Sequence, residues 1–170
     1  ADLSGRVDMI LAGEPSEIGL ESTVIKLDGE DVIVLRPGGI TVEDLCSLLG
    51  EEHVRVDRIV TEKVTGDFKP LSPGMKYRHY APTAPLVLLS GDASARLAFL
   101  QKMQKEKKCA ILCYDEELTF LENKDLLPIG ARDDIKTQAH RLFGALRAAD
   151  RTDAQIIYAP LPPAEGLGLA

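Results

Sequence analysis

The chain has 170 residues, 45% hydrophobic and 28% charged, with a formal net charge of -7, a composition that suits one ordinary globular domain or two small ones. No stretch approaches the roughly 18 consecutive apolar residues of a membrane span, no basic-then-apolar signal pattern opens the sequence, and the acidic balance argues against a broad nucleic-acid footprint. The cytoplasm is the simplest address, and no membrane partner is expected. Cys109 and Cys113 lie in the apolar run Cys-Ala-Ile-Leu-Cys-Tyr; with no histidine nearby and a spacing unsuited to zinc, they are expected to be buried, reduced thiols.

In chain order, Ser22 to Leu27 and Val32 to Leu35 are β-rich runs flanking Asp28-Gly29, a strong hairpin signal that puts Ser22, Thr23 and Arg36 on neighbouring strands. Thr41 with Asp44 three positions on predicts a capped helix start, Val42, Leu45, Leu48 and Leu49 an apolar face, and Gly50 the stop. His53 to Val60 alternates partly, and polarity then rises to Lys69. Beyond Pro85 the pattern becomes strand (Leu86 to Leu89), helix (Ser94 to Lys107), strand (Cys109 to Tyr114), brief strand (Leu126 to Ile129), helix (Ile135 to Ala149) and strand (Ala154 to Tyr158). Unalternating strands separated by helices imply a parallel sheet covered on both sides, an open Rossmann-like α/β layer.

Between these two regions stands Ser72-Pro-Gly-Met-Lys-Tyr-Arg-His-Tyr-Ala-Pro82. Pro73, Gly74 and Pro82 restrict the backbone, holding Lys76, Tyr77, Arg78, His79 and Tyr80 in few poses. From Lys69 to Ala84 there are cations and no acid, so positive potential concentrates there. These side chains suit a polyphosphate and an aromatic base; a solvated, ordered linker that docks two domains is the alternative. The run resembles the inter-domain segment of the two-domain YrdC-type L-threonylcarbamoyladenylate synthases. Gly19-Leu20-Glu21-Ser22-Thr23-Val24-Ile25 and Val34-Leu35-Arg36-Pro37-Gly38 resemble the closing strands of the YrdC catalytic domain, and Ala139 to Ala170 resembles the smaller C-terminal domain.

The resemblance implies an α/β fold in which residues 1–60 are the C-terminal portion of a YrdC-like catalytic domain, 61–84 the linker and 85–170 a Rossmann-like domain. It also implies that the chain is a piece of a longer protein, consistent with an opening at Ala1 near a strand and an end at Gly166-Leu-Gly-Leu-Ala170 that reads like a loop entering a helix. The implied activity is formation of threonylcarbamoyl-AMP and pyrophosphate from L-threonine, bicarbonate and ATP. ATP would carry Mg2+, with no tightly bound protein metal, and the product would pass to the machinery that modifies the tRNA adenosine next to the anticodon.

By the same resemblance Thr23 binds L-threonine, Ser22 and Arg36 contact ATP, and the linker folds over the cleft with His79 and Tyr80 as the preferred nucleotide contacts and Lys76, Tyr77 and Arg78 as further ones. No catalytic side chain is assigned within the chain. Read without it, Ser-Thr on a strand is ordinary β-propensity, and Arg36 is either a strand-end arginine paired with a surface acid or a bidentate phosphate clamp beside Pro37-Gly38-Gly39. His53 and His140 read as surface or helix-end residues, Gly166-x-Gly168 as too little for a dinucleotide fingerprint, and Glu51-Glu52, Glu116-Glu117 and Asp133-Asp134 as solvated loops and helix starts. A non-catalytic nucleotide- or tRNA-binding α/β module is the competing account.

Overall fold

The structure, a computed structural model, describes residues 3, 5–14, 16–61 and 81–170. Two sheets share no strand. The first has the order β1 (Val24–Asp28), β2 (Asp31–Arg36), β3 (Val54–Val56). Strands β1 and β2 pair antiparallel around Gly29, whose φ of +64° is one a side chain would resist. Strand β3 pairs parallel to β2, and the crossover between them contains helix α1 (Val42–Leu49). Asp31 ties this edge, its carboxylate lying 2.8 Å from Arg55 and 3.3 Å from His53 Nδ1. One helical turn, α2 (Arg58–Thr61), follows.

Helix α1 begins as its sequence dictates: the Thr41 hydroxyl accepts from the Asp44 amide, the Asp44 carboxylate accepts from the Thr41 amide, and Gly50 closes the helix at φ +94°. Its expected apolar face is not buried, however. No α1 residue is buried, and Leu48 is 80% exposed. Amphipathic spacing specifies which side chains share a face but not what covers it.

The second sheet is wholly parallel, in the order β4 (Leu86–Leu89), β7 (Ile156–Pro160), β5 (Cys109–Cys113), β6 (Leu126–Pro128). Helices α3 (Ala93–Glu106) and α4 (Ile135–Ala149) cover opposite faces. Ala110 and Leu112 of β5 pack with Ala145, Leu146 and Ala149 of α4, whereas Cys109, Ile111 and Cys113 pack with Leu100 and Met103 of α3. All five residues of β5 are buried, which is why its sequence is apolar without alternation. Strand β4 is the exception to two-sided cover: Leu86 and Leu88 remain 38% and 49% exposed at the sheet edge. Strand β7 runs two residues later than its sequence suggests, ending on Pro160 beside Leu89; its pairing with β5 stops at Tyr158, so proline's missing amide at the last position costs no ladder bond.

The thiols behave as expected. Cys109 and Cys113 are buried and free, and burial pushes the Cys113 thiol up to about 12. Among the described residues no helix is long and apolar enough to cross a membrane.

Several contacts join the two layers. A Cβ at Gly19, where φ is +72°, would come within 2.8 Å of the His140 backbone in α4, so the segment leading into the hairpin lies directly on that helix. The Glu43 carboxylate of α1 accepts from the Gly166 amide at 3.1 Å. This bond and the helix's own first-turn amide hold the Glu43 carboxyl below the usual range. Where the second layer begins, the Thr83 amide donates to Asp150 at the end of α4 (2.7 Å).

Candidate functional site

The hairpin brings Ser22, Thr23 and Arg36 together. Val24 pairs with Arg36, and a register irregularity between Val24 and Ile25 loosens the ladder there. The polar side chains at the hairpin's open end are therefore held by side-chain hydrogen bonds rather than by the sheet ladder alone.

Arg36 makes most of them. Its Nε donates to the Ser22 carbonyl (3.0 Å), one terminal nitrogen donates to Glu21 Oε2 (2.5 Å) and the other to the Ser22 hydroxyl (3.3 Å). The side chains of Arg36 and Glu21 are 23% and 35% exposed. The guanidinium thus staples residues 21–22 to the end of β2 using its planar fork of donors. Arginine paired with a nearby acid, one of the two readings open from sequence, describes this conformation. Glu21 and the Ser22 carbonyl are partners that sequence reasoning did not assign, although Glu21 stands beside Ser22 in the quoted motif.

Thr23 is equally committed. Its hydroxyl donates to the Ile40 carbonyl at 2.6 Å and accepts from the Ile40 amide at 3.1 Å. A hydroxyl has one proton and two lone pairs, so one acceptor position remains. In this arrangement Thr23 can accept from an ammonium or hydroxyl, but donating to a carboxylate requires breaking its bond to Ile40. The two hydrogen bonds to Ile40 also pin the loop Pro37-Gly38-Gly39-Ile40 against the start of β1.

The glycines of that loop serve the chain's own packing. A Cβ on Gly38 would meet the Thr23 amide at 2.5 Å, and one on Gly39 would meet the Ile18 side chain at 2.6 Å. The close approach that these glycines permit is made by residues 18–23 of the chain itself. Next to it lies an open cavity of about 250 Å3, lined by Leu35, Arg36, Pro37, Ile59, Val60, Leu169 and Ala170, which brings the C-terminal residues beside the arginine.

Lys76, Tyr77, Arg78, His79 and Tyr80 lie outside the described residues. His53 is half-exposed beside Asp31, and His140 is exposed on α4. Among the described residues no group of three His, Cys, Asp or Glu side chains could hold a metal ion. One polar cluster was not foreseen. Glu117, expected to be solvated, is 3% exposed and paired with Arg96, which is 8% exposed. Arg132 approaches the same carboxylate oxygen at 3.4 Å, and the Tyr114 amide donates to the other at 3.1 Å. Neither the cap from Tyr114 to Glu117 nor the partnership with Arg96, 21 positions away, was read from the sequence.

The profile of the family described as "Threonylcarbamoyl-AMP synthase, C-terminal domain" matches residues 40–170. The chain is 36% identical over 170 residues to the threonylcarbamoyl-AMP synthase of Bacillus subtilis, covering 99% of this chain and 48% of the relative. It is 33% identical over 177 residues to that of Pyrococcus abyssi, covering 99% of this chain and again 48% of the relative. The chain therefore spans about half the length of the curated relatives it matches. Its fold is similar to a crystal structure of P. abyssi Sua5 complexed with L-threonine, with a TM-score of 0.80 and 32% identity over 98% of this chain and 47% of that one. A structure of a histidine-to-alanine, tyrosine-to-alanine double variant of the same archaeal protein matches with a TM-score of 0.74 at 33% identity, over 91% of this chain and 43% of that one. With a family profile covering most of its length and a hairpin, loop and parallel layer arranged as in a solved relative, the chain belongs to the threonylcarbamoyl-AMP synthase C-terminal domain family.

Proposed function

We propose that the protein containing this chain is an L-threonylcarbamoyladenylate synthase, a nucleotidyltransferase of the cytoplasm, and that the chain supplies one wall of its active site together with the linker that covers it. The amine of L-threonine and bicarbonate form a carbamate with loss of water. A carbamate oxygen then attacks the α-phosphorus of ATP, the bond to the leaving pyrophosphate breaks, and threonylcarbamoyl-AMP is released for transfer to tRNA. Catalysis of such a step rests on positioning and on neutralising phosphate charge, and Mg2+ enters with the polyphosphate of ATP.

The observation that carries this reading is the single open lone pair on Thr23, held at the mouth of the hairpin by Ile40, in a chain similar to a protein solved with L-threonine. Thr23 accepts from the ammonium or hydroxyl of that amino acid. Ser22 and Arg36 face the nucleotide, with Arg36 exchanging its Glu21 contact for a phosphate oxygen, a swap its bidentate geometry permits. His79 and Tyr80 contact the nucleotide when the linker closes, with Lys76, Tyr77 and Arg78 beside them. The division of residues 1–60, 61–84 and 85–170 into catalytic portion, linker and C-terminal domain is part of the same proposal.

Product analysis tests it: the full-length protein is incubated with ATP, L-threonine, Mg2+ and labelled bicarbonate. A labelled threonylcarbamoyl-AMP peak, lost in Thr23→Ala, is expected. A folded, ATP-binding protein that forms no labelled adduct would overturn the synthase and favour a nucleotide- or tRNA-binding module.

A further inference from the structure

Two arginine–glutamate pairs of the molecule differ in exposure. Arg96 and Glu117 meet inside the parallel layer, their side chains 7% and 4% exposed. Separating them would leave a buried charge without its partner, which is strongly destabilising. Arg36 and Glu21 meet at the hairpin mouth, their side chains 23% and 35% exposed. Water reaches this second pair, so both partners are rehydrated when the bond opens and little stability is lost. The first pair is built to stay closed and the second to exchange.

The surroundings of Glu21 leave that exchange to its side chain alone. A Cβ on Gly38 would collide with the Glu21 carbonyl, the Ser22 backbone and the Thr23 amide, so the backbone of residues 21–23 is packed against the glycine loop. The two bonds between the Thr23 hydroxyl and Ile40 hold it there. Arg36 is oriented by bonds other than that to Glu21: its Nε and one terminal nitrogen donate to the carbonyl and hydroxyl of Ser22, two neutral acceptors that set the plane of the guanidinium. To the other terminal nitrogen, at 2.5 Å, Glu21 presents a carboxylate oxygen, the kind of acceptor that a phosphate presents in the same geometry. Rotation of the glutamate side chain withdraws that oxygen without moving the backbone.

We propose that Glu21 is an internal competitor of ATP: its carboxylate occupies a phosphate-binding nitrogen of Arg36 in the empty site and is displaced by the polyphosphate. The inference rests on the reading above that Arg36 meets a phosphate of ATP. A site of which only a fraction is open binds with an affinity reduced by that fraction, and every anion that needs Arg36 meets the same reduction. Small anions that the reaction also brings to the site, bicarbonate and the carboxylate of L-threonine, are thereby kept off the arginine. The polyphosphate, with further contacts of its own, displaces Glu21.

Isothermal titration calorimetry of the full-length protein with ATP and Mg2+, without L-threonine or bicarbonate so that no turnover occurs, tests it. Glu21→Gln keeps a neutral acceptor opposite Arg36 but removes the charge, and should bind ATP about threefold or more tightly, the scale of a lost half-exposed ion pair. Inorganic phosphate should compete with ATP more strongly in this variant than in the parent. Arg36→Gln should weaken ATP binding, and adding Glu21→Gln to it should change the affinity by less than about 1.5-fold, because the competitor acts through the arginine. Glu17→Gln, which removes another exposed acid, should stay within about 1.5-fold of the parent, its charge being screened. Should Glu21→Gln melt well below the parent, Glu21→Asp, which withdraws the carboxylate by one methylene, should tighten ATP binding in the same direction. Unchanged or weaker ATP binding in the position-21 variant, or unchanged competition by phosphate, with binding still weakened in Arg36→Gln, would overturn the competitor and leave the nucleotide contact standing. Equal tightening with and without Arg36 would make the effect one of net charge and overturn it as well. Unchanged binding in Arg36→Gln would overturn the contact and the competitor together.

Discussion

The two layers of the molecule solve different problems. The parallel layer buries β5 completely and covers it on both faces with α3 and α4, so its stability comes from a core of its own. In the hairpin layer Val32, Val34 and Leu35 are the buried hydrophobics among the described residues, α1 has no fully buried residue, and strand β1 is exposed along most of its length. What the hairpin layer has instead is a set of directed polar bonds, from Arg36 to Glu21 and Ser22 and from Thr23 to Ile40. Substitutions of similar size should therefore act on folding in one layer and on substrate in the other.

The largest expected effect is in the parallel core. Ile111→Ala, at a position with 0% exposure, should cost about 2–5 kcal/mol, the range for a truncated and incompletely collapsed site. Chemical denaturation measures it. Leu48→Ala, at 80% exposure, should stay within about 0.5 kcal/mol; comparable losses at both positions would show that α1 is covered and break the contrast.

Glu117→Gln comes next. It leaves Arg96 buried with its countercharge removed, for which about 3–5 kcal/mol is typical. A thermal melt of the variant should fall markedly, whereas Glu116→Gln, exposed one position earlier, should melt close to the parent.

A smaller effect concerns pH and the seam between the layers. The Glu43 carboxyl is held below its ordinary 4.5 by its own amide and that of Gly166. A carboxyl lowered on folding stabilises the contact above its unfolded value and loses that contribution as pH falls through the folded one. The Gly166 amide proton resonance should therefore titrate with a midpoint below 4.5, and Glu43→Gln should abolish the titration. Thiol labelling is the mildest probe: at neutral pH a maleimide should modify half-exposed Cys46 and spare Cys109 and Cys113.

Much of this division was legible in the sequence because it is local. Asp28-Gly29 set the hairpin, Thr41 with Asp44 set the start of α1, and apolar runs without alternation set the parallel strands. The residues meeting at the hairpin mouth followed from the turn. What could not be read was the pairing of distant groups: Arg96 with Glu117, the Ile40 backbone with Thr23, and Gly38 packed against Glu21 to Thr23. Nor did spacing reveal that Leu48 and Leu49 would be exposed, since periodicity identifies a face without its partner.

The most direct test is steady-state kinetics of the full-length protein with Thr23→Val and Arg36→Gln, varying L-threonine and ATP separately. Thr23→Val keeps the β-branched shape but removes the open lone pair and the link to Ile40. It should raise KM for L-threonine about tenfold or more, with a much smaller change for ATP. Arg36→Gln should lower kcat/KM for ATP by tens-fold or more, the scale of a lost charge-assisted bond, roughly 1.5–3 kcal/mol. Separate responses of this kind are what the hairpin site predicts; unchanged constants in both variants, with melting temperatures equal to the parent, would contradict it.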